Sequence, residues 1–377
     1  MAVPSNKTGN TADVIVIGGG LHGLSAALHL SMQGVDVTVL EKDYCGRHAS
    51  GVNAGGVRRL GRALPEVPLS VAAAELWQNI EQLVGDDCGF ESTCQIKVAE
   101  TEADLRKLQH RSKELQDLGF DHEEIIDRKT LRKLLPAVNP ECVGGMVVHG
   151  DGHANPFRTV QAFRHRASSL GAQIYEGAQV TETDRRHGVW VVRTANGNRH
   201  EAPVVINSAG AWAGRFADQM GDRVSLRPAA LMLMITARLP AFIDVVVGAT
   251  GRTLSFKQFE NGTVMIGGGF EGQANLETNQ TTLDFAGLAT SARSAIAIFP
   301  IMQKARIVRQ WAGIEGMMAD GIPVLGPSQS EGLFHSFGYS AHGFQLSPIC
   351  GKIVSDLVLT GSTDLPIAAF RADRFNT

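Results

Sequence analysis

A glycine-rich turn near the start of the chain has the residue types and spacing that bind the phosphates of a dinucleotide. Gly18, Gly20 and Gly23 form G-x-G-x-x-G directly after the apolar run 14–17, which predicts a strand buried on both faces. Gly18 makes the tight turn, Gly20 lets the backbone approach a pyrophosphate, and Gly23 lets the following helix pack closely on the strand. The free N–H groups at the start of that helix would then bind the phosphates.

An acidic residue closes the strand that follows this helix. The helix is expected to end near Gly34, residues 35–40 to form a second strand, and Glu41 to stand at its end. A carboxylate about 20 residues past the glycines accepts hydrogen bonds from ribose hydroxyls and repels a 2′-phosphate. Strand, glycines, helix, strand and acid in this order predict a nucleotide-binding unit. His22, inside the glycine motif, is expected to be solvated at the helix start rather than catalytic.

Composition narrows the function classes. The 377 residues, 44% of them hydrophobic, predict two domains, and the net charge of −3 gives no electrostatic reason for nucleic-acid binding. The chain has no apolar run long enough to span a membrane, and residues 1–11 lack the apolar core of a signal peptide, so we expect a cytoplasmic protein. No C-x-x-C pair occurs among the cysteines, so no zinc site, iron–sulfur cluster or disulfide framework is expected in this chain. They are Cys45, Cys88, Cys94, Cys142 and Cys350.

The segment 42–62 combines small residues with arginines. It reads KDYCGRHASGVNAGGVRRLGR and has neither a helical nor a strand period. Such a segment is expected to be a loop, in which small residues beside arginines suit close backbone contact with a phosphorylated cofactor. The alternative interpretation is a solvated basic loop.

The rest of the chain alternates helices and strands and then changes to hairpins. Helices are predicted at residues 68–84, 102–118, 131–135, 156–170 and 282–299, and in a last helix that ends at Gly361. Strands are predicted at residues 95–99, 144–149, 173–183, 189–194, 201–207 and 306–313, and hairpins across 224–270. A second glycine turn, 208–212, suggests a return to the nucleotide-binding sheet. We therefore predict an α/β + β fold, with a Rossmann-type domain assembled from several chain segments and an inserted antiparallel-sheet domain.

Six motifs extend this interpretation over nearly the whole length. They are IGGGLHG with Glu41, ASGVNAGGVR, DGHANP, VINSAGAWA, WAGIEGMMADGIPVLGP and FGYSAHGFQLSP. With them the chain resembles the D-amino-acid-oxidase-type flavoproteins, the group of glycine oxidase, sarcosine oxidase and D-amino-acid dehydrogenase. The last two motifs look most similar to the β subunits of D-hydroxyproline dehydrogenase and opine oxidase. The resemblance implies FAD as cofactor, an FAD-binding domain at 12–84, 144–221 and 305–361, and a substrate-binding domain at 85–143 and 222–304.

The same resemblance implies which residues contact FAD. The glycine turn and Glu41 would hold adenosine and pyrophosphate, and the backbone of Val180 would meet adenine. Residues 53–56 would lie along the isoalloxazine, and backbone N–H groups of 338–343 would face the flavin N1/C2=O edge, where a helix start favours negative charge. The implied cofactor-binding residues are Gly18, Gly20, Leu21, His22, Gly23, Glu41, Lys42, Arg47, Ala49, Ser50, Asn53, Ala54, Gly55, Gly56, Val180, Ala209, Gly210, Trp212, Gly313, Gly338, Ser340, Ala341, His342, Gly343, Phe344 and Gln345.

Two other functions share the nucleotide-binding pattern. An NAD-dependent dehydrogenase carries the same glycine fingerprint, and a flavin-carrying subunit could relay electrons without catalysing a reaction. The glycine turns at Gly210 and at 338–343 favour FAD over NAD, because a permanently bound isoalloxazine must be fixed by several chain segments.

The resemblance implies oxidation of an amino acid or N-substituted amino acid, with a hydride passing from Cα–H to flavin N5. The imine then hydrolyses to a 2-oxo acid and an amine, or remains a cyclic imine. Since the flavin supplies this chemistry, neither a metal nor a dedicated nucleophile is expected. D-hydroxyproline, an opine, a D-amino acid and an N-methyl amino acid all fit the pattern.

An arginine is expected to bind the substrate carboxylate, because its planar fork matches the anion. In glycine-oxidase-like relatives two arginines occupy positions that correspond here to Glu315 and Ala341, so the anchor must lie elsewhere. Arg58, beside the implied position of the ring, is the first candidate, and Arg59 and Arg252 are weaker ones. Arg58 could instead be a structural partner of a loop carbonyl or a phosphate.

Three further residues are candidate catalytic residues. Glu315 places a carboxylate where relatives hold a cation, so it would attract a substrate ammonium or guanidinium, or only Arg309 or Arg293 in an ordinary ion pair. His342 and Tyr339 could hydrogen-bond the flavin or the substrate amine. Their alternative role is to support the glycine-rich loop.

The electron acceptor is predicted from a missing lysine. Sarcosine-oxidase relatives carry a lysine over the flavin whose charge stabilises superoxide, and the aligned residue here is Met265, although Lys257 on the neighbouring strand could supply the charge. The multi-subunit dehydrogenases that the chain resembles have partner chains with iron–sulfur centres. We therefore expect a dehydrogenase that passes electrons to an iron–sulfur or flavin partner subunit, or to a quinone-like acceptor, and reacts slowly with oxygen.

Overall fold

The computed structural model describes residues 10–375 of the chain. Most of the segment 1–11, which is expected not to be a signal peptide, lies outside the described residues. Within residues 10–375 no helix is both long and apolar enough to cross a membrane.

Strands in the described range form three sheets. They are β1 (Val14–Ile17), β2 (Val37–Leu40), β3 (Gly56–Val57), β4 (Glu91–Ala99), β5 (Glu124–Asp127), β6 (Gly144–His153), β7 (Gln173–Tyr175), β8 (Val180–Arg186), β9 (Val189–Thr194), β10 (Arg199–Ala202), β11 (Val204–Asn207), β12 (Leu226–Thr236), β13 (Val246–Ala249), β14 (Ser255–Gln258), β15 (Val264–Gly267), β16 (Glu271–Asn275), β17 (Gln280–Thr282), β18 (Ile307–Met318), β19 (Val324–Pro327) and β20 (Leu333–Phe337).

Helices cover the sheets or connect their strands. They are α1 (Leu21–Met32), α2 (Ala49–Val52), α3 (Val67–Gln78), α4 (Ile80–Val84), α5 (Glu102–Asp117), α6 (Arg128–Leu134), α7 (Pro156–Ser169), α8 (Ala213–Gln219), α9 (Phe285–Ile298) and α10 (Gly343–Thr360).

The first sheet is the predicted Rossmann-type sheet. Among the described residues its six strands have the order β19-β20-β11-β1-β2-β7. Neighbouring strands are parallel except β19 and β20. On one face α1 packs against α7 and α10, and on the other the antiparallel strands β10, β9 and β8 cover Ile15 and Ile17 with Trp190. Burial on both faces explains why β1 and β2 are apolar at nearly every position.

The large mixed sheet carries the second core. Its eleven described strands include the path β17-β16-β12-β15-β14-β13-β4-β6-β3, with β18 beside β12 and β5 beside β6. Along β4 and β14 the side chains alternate, so that Ile96 and Phe256 pack with Phe299 after α9 while Lys97 and Ser255 point to the opposite face. This predominantly antiparallel sheet completes the predicted α/β + β fold.

The segment 42–62 is more ordered than its sequence predicts. It contains α2 and β3, although no regular structure was expected there. Asn53 explains the local fold, because its amide nitrogen donates to the carbonyls of Ala49 and Ser50 while its oxygen accepts from the N–H of Gly55, at 2.9, 2.9 and 2.7 Å. Hydrogen bonds between one short polar side chain and three backbone groups stabilise this segment. They produce no hydrophobic periodicity from which a helix or strand could be predicted.

Three predicted elements are each divided in two. The helix predicted at 68–84 breaks at Asn79 into α3 and α4. The strand predicted at 173–183 becomes β7 and β8, which belong to different sheets and are separated by Gly177 in the left-handed region (φ +69°). The strand predicted at 201–207 likewise becomes β10 and β11, interrupted at Pro203, which has no N–H to donate.

Other elements follow the sequence closely. The helix predicted at 156–170 is α7, and its predicted N-cap Asn155 accepts a 3.0 Å hydrogen bond from the N–H of Arg158. The proposed domain boundaries place β6 and β18 in the FAD-binding domain, whereas both strands pair within the large mixed sheet.

Candidate functional site

A cavity of about 1380 Å³ runs between the six-stranded sheet and the large mixed sheet. At one end its wall comes from the turns after β1, β2, β11 and β20, which are parallel strands whose carboxyl ends meet at one edge. Ligands of such sheets bind at this edge. The other end is lined by strands of the large mixed sheet and includes Lys97, Leu233 and Glu315.

The structure brings most of the predicted cofactor residues together on this wall. Those that line the cavity are Gly18, Gly20, Leu21, His22, Glu41, Lys42, Arg47, Ala49, Ser50, Asn53, Ala54, Gly55, Gly56, Val180, Ala209, Gly210, Trp212, Gly313, Gly338, Ala341, His342, Gly343 and Phe344.

Three predicted cofactor residues lie behind the wall instead. Gly23 packs so closely on β1 that a Cβ there would overlap the carbonyl oxygen of Gly18. The Ser340 hydroxyl accepts a 3.0 Å hydrogen bond from the N–H of Met318, and the Gln345 amide donates to the carbonyl of Ser70 at 2.8 Å. The side chains of Ser340 and Gln345 hydrogen-bond to neighbouring backbone, and Gly23 packs on the strand. All three residues therefore support the wall and do not line the cavity.

The glycine turn leaves room for a phosphate. Gly18 has φ +107°, and a Cβ there would overlap the carbonyl oxygen of Ser208 at the end of β11. Ser50 approaches from α2, where its hydroxyl accepts a 2.9 Å hydrogen bond from the N–H of Leu21 at the start of α1. A Cβ on Gly20 would stand 3.2 Å from that hydroxyl and narrow the turn. The turn and α2 therefore form one cradle at the positive end of α1.

Glu41 is held by the backbone beside this cradle. Its two carboxylate oxygens accept hydrogen bonds from the N–H groups of Gly19 and Asp43, at 2.7 and 2.8 Å. Burial raises the pKa of Glu41, while these two backbone hydrogen bonds oppose the shift. The side chain is therefore fixed at the strand end with acceptor capacity left for ribose hydroxyls.

The loop 338–343 holds unusual backbone conformations. Ser340 and Ala341 have φ of +50° and +68°, a backbone conformation that residues other than glycine rarely adopt. The N–H of Ala341 donates to the carboxylate of Glu315 on β18 at 2.6 Å, so the two positions that the resemblance aligns with arginines are in contact. Within the described residues Glu315 forms no ion pair with Arg309 or Arg293, and Arg293 donates to Thr290 instead. Burial raises the pKa of Glu315 to about 7.

Arg62 fixes this loop from the opposite side, and the sequence analysis did not single it out. Its guanidinium is buried and donates to the carbonyls of Arg58 and His342 and to the side-chain oxygen of Gln345, at 3.0, 2.9 and 3.0 Å. The carboxylate of Glu66 accepts from the His342 ring at 2.9 Å. His342 and Gln345 lie about 280 residues after Arg62 in the sequence. The only sequence feature that could have indicated this contact was the additional arginine at the end of segment 42–62.

His22 is not solvated, contrary to the sequence-based expectation. Its ring stacks on Tyr339 with centroids 3.5 Å apart and planes inclined by 7°. Neither ring nitrogen makes a hydrogen bond of ordinary geometry among the described residues. Burial lowers the pKa of His22 to about 3, and the nearby backbone of Gly343 opposes the shift. The expectation failed because the loop before α10 folds over the start of α1, a contact that no local pattern predicts. The Tyr339 hydroxyl is 2.7 Å from the hydroxyl of Ser336.

The three candidate arginines differ in their partners. Arg59 pairs with Asp151 at 3.0 Å and does not line the cavity. Arg252 lines the cavity but is held by both oxygens of Glu100, at 2.6 and 2.7 Å. Arg58 lines the cavity, donates to the carbonyl of Leu60 at 2.5 Å and makes no ion pair within the described residues. Of the three, Arg58 alone has a guanidinium free for an anion.

Lys257 and Met265 face each other across the β14–β15 pair. Lys257 is buried, and its ammonium lies 4.7 Å from the centre of the Phe259 ring. Burial lowers the pKa of Lys257 to about 7, with Glu91 opposing the shift. Neither residue lines the cavity, and the Lys257 ammonium is only partly charged at neutral pH.

A family model described as DAO, FAD dependent oxidoreductase, matches residues 13–357. The chain belongs to this family. The resemblance drawn from the motifs is thereby confirmed, and FAD rather than NAD is the cofactor.

The similarity of this chain to its relatives extends over nearly its whole length. The beta chain of sarcosine oxidase from Rhizobium meliloti (strain 1021) is 26% identical over 96% of this chain and 88% of that protein. The B chain of opine oxidase from Rhizobium meliloti is 24% identical over 97% and 98%. The crystal structure of glycine oxidase from Geobacillus kaustophilus superposes with a TM-score of 0.89 at 25% identity, covering 97% of this chain and 99% of that one. The predicted fold class is confirmed by that superposition.

The residues of this flavoprotein fit FAD on structural grounds as well. The cradle at Gly20 and Ser50 is open where a Cβ would narrow it, and Leu21 and Gly343 bring the starts of two helices to the same cavity. The first N–H groups of a helix have no acceptors within that helix. The N–H of Leu21 donates to the Ser50 hydroxyl, and the remaining ones are available to phosphate or flavin oxygens. The ring nitrogens of His22 are likewise buried and unpaired in the cavity wall.

Proposed function

We propose that this flavoprotein oxidises an amino acid or N-substituted amino acid at its Cα–N bond and acts as a dehydrogenase. The observation that carries the proposal is Arg58, a cavity-lining guanidinium without a carboxylate partner beside the segment 53–56. An arginine at such a place suits bidentate binding of a carboxylate. The relatives named glycine, sarcosine and opine oxidases support an amino-acid-like substrate.

The chain's own residues would bind and orient the reactants. The cradle of Gly18, Gly20 and Ser50 would hold the pyrophosphate, and Glu41 the ribose. When bound, the flavin accepts a hydride from the substrate carbon. Arg58 holds the substrate by its carboxylate, which aligns Cα for that transfer.

Glu315 is proposed to control the protonation of the amine. Hydride transfer needs the substrate nitrogen in its neutral form. A carboxylate whose pKa burial has raised to about 7 is matched to accept a proton from an ammonium near neutral pH. The hydrogen bond from Ala341 occupies only one of its oxygens, Oε1, so Oε2 remains available.

Electrons are proposed to leave for a partner protein or a quinone-like acceptor and not for oxygen. Met265 supplies no charge, and the opposed Lys257 is buried with a pKa of about 7, so a permanent cation that would stabilise superoxide is lacking at these two positions. The relatives that are named as subunits of sarcosine oxidase and opine oxidase support partner chains, which we propose to carry iron–sulfur or flavin centres.

A panel of substrates tests the proposal. Purified flavoprotein is incubated with D-hydroxyproline, an opine, a D-amino acid or an N-methyl amino acid, and turnover is followed with a redox dye and separately with oxygen. We expect dye-coupled turnover of at least one of the four and little oxygen consumption. A flavin that no member reduces would instead support a subunit that relays electrons without catalysis.

A further inference from the structure

Lys97 is a second cation on the cavity wall without a partner. It lies on β4 opposite Gly248 of β13, and both residues line the cavity. Among the described residues its ammonium makes no hydrogen bond or ion pair. Burial lowers the pKa of Lys97, and the positive charge of Arg58 adds to the shift.

Lys97 and Arg58 flank one small space. A Cβ built on Gly61 would stand 3.7 Å from the Lys97 ammonium nitrogen and 4.0 Å from Nη1 of Arg58. Gly61 itself has φ +68°, and its N–H donates to Glu123 at 2.7 Å, which fixes the backbone there. The two cations are therefore close neighbours around a position that a larger residue would fill.

Each carboxylate near these two cations accepts from another side chain, while Oε1 of Glu66 has no hydrogen-bond partner within the described residues. Each one accepts from a different group: Asp151 from Arg59 at 3.0 Å, Glu123 from Arg111 at 3.1 Å, and Glu66 from His342 at 2.9 Å. The third nearby cation, Arg62, donates three hydrogen bonds to uncharged oxygen atoms, which fix its guanidinium in place. Neither the Lys97 ammonium nor the Arg58 guanidinium therefore contacts a carboxylate within the described residues, and burying a charge without a partner is costly.

We propose that the substrate carries two carboxylates, as an N-carboxyalkyl amino acid does, and that Lys97 binds the second one. This inference rests on the proposed function, because it takes Arg58 to hold the first carboxylate. A substrate with a single carboxylate, bound bidentately by Arg58, would leave the charge of Lys97 uncompensated. A second carboxylate neutralises it, so Lys97 selects acidic substrates over neutral ones.

Binding of two matched ligand pairs tests the proposal. Iminodiacetate and sarcosine differ only in the second carboxylate, and glutarate and butyrate are their isosteres without an oxidisable nitrogen. Titration of the FAD-loaded protein with glutarate and butyrate, followed by the change in flavin absorbance, measures affinity without turnover. We expect glutarate to bind at least about tenfold more tightly than butyrate, the scale of one partly buried charge pair.

Variants assign the preference to Lys97. Lys97→Met, which keeps the aliphatic stem, should remove the preference while butyrate binds as before, and Lys97→Arg should restore most of it. Lys129→Met, at an exposed lysine outside the cavity, is the control and should change neither affinity. Equal affinities in the parent protein, or a preference that survives in Lys97→Met, would overturn the inference. Failure of every amine, iminodiacetate and sarcosine included, to reduce the flavin would overturn the proposed function, whereas the preference for glutarate is measured independently of turnover.

Discussion

The carboxylate of Glu315 accepts a 2.6 Å hydrogen bond from the backbone N–H of Ala341. The bond joins β18 of the large mixed sheet to the loop before α10, so it connects the two walls of the cavity. Ala341 has φ +68° and the preceding Ser340 φ +50°, conformations that cost about 1–2 kcal/mol each in side-chain-bearing residues. Glu315 therefore helps to hold a strained loop in the cavity wall.

Glu315 should make stability depend on pH. Burial raises its pKa from 4.5 to about 7, so between these values the folded protein binds more protons than the unfolded chain. Stability then falls as pH rises through this interval, because folding must protonate a carboxylate that is already ionised in the unfolded chain. Glu315→Gln removes the titration, so the melting temperature of the parent should fall relative to that of the variant from pH 4.5 to about 7. Parallel melting curves over this interval would show that Glu315 does not titrate there.

Arg58→Lys should lower turnover while FAD is retained. Lysine keeps the charge but loses the bidentate geometry, so Cα is aligned less well, and we expect kcat/KM to fall roughly tenfold to a hundredfold. The flavin content and the melting temperature should change little, since the Arg58 guanidinium makes only one hydrogen bond within the described residues.

The matched control for Arg58 is its neighbour Arg59, which pairs with Asp151 and does not line the cavity. Arg59→Lys should leave kcat/KM close to that of the parent. An unchanged rate in Arg58→Lys would mean that another group binds the carboxylate.

Sequence and structure agree best where chemistry is local. The strand, the glycines and Glu41 lie within one short stretch, so periodicity and turn chemistry predict the elements and their order. The positive φ of Gly18 follows directly from the motif, in which this glycine makes the tight turn.

The contacts that sequence reasoning missed join distant segments. Arg62 reaches the loop before α10 from the other end of the chain, and His22 is covered by Tyr339. Lys97 was not singled out because alternation along β4 does not reveal which face meets a cavity. Long-range packing determines these three cases, and no local pattern encodes it.

Gly20→Ala should separate FAD binding from folding. A Cβ at Gly20 would meet only the Ser50 hydroxyl, at 3.2 Å, so the fold should tolerate it, but the methyl group would stand where the pyrophosphate approaches. We expect an unfolding free energy within about 1 kcal/mol of the parent and a marked loss of bound flavin. The comparison variant is Gly23→Ala, in which the Cβ would overlap the Gly18 carbonyl and which should destabilise the fold itself. Full flavin content in Gly20→Ala would contradict this assignment of the cradle.

Reduced flavoprotein should react slowly with oxygen. Met265 carries no charge, and the buried Lys257 opposite it has a pKa of about 7, so stabilisation of superoxide is weak. Stopped-flow mixing of the reduced protein with air-saturated buffer, compared with mixing with a dye, measures both rates. Reoxidation by oxygen as fast as turnover would make the protein an oxidase, and Lys257→Met would then show whether that lysine is responsible.

The most direct test of the proposed function is anaerobic mixing of the FAD-loaded protein with amino-acid and N-substituted amino-acid substrates. Flavin absorbance is followed in time, and the products are identified after a single turnover. We predict that at least one carboxylate-bearing amine bleaches the oxidised flavin and yields one equivalent of imine or 2-oxo acid, and that Arg58→Lys slows this step. Flavin that stays oxidised with every such amine, although a chemical reductant bleaches it, would contradict the assignment of amino-acid oxidation to this cavity.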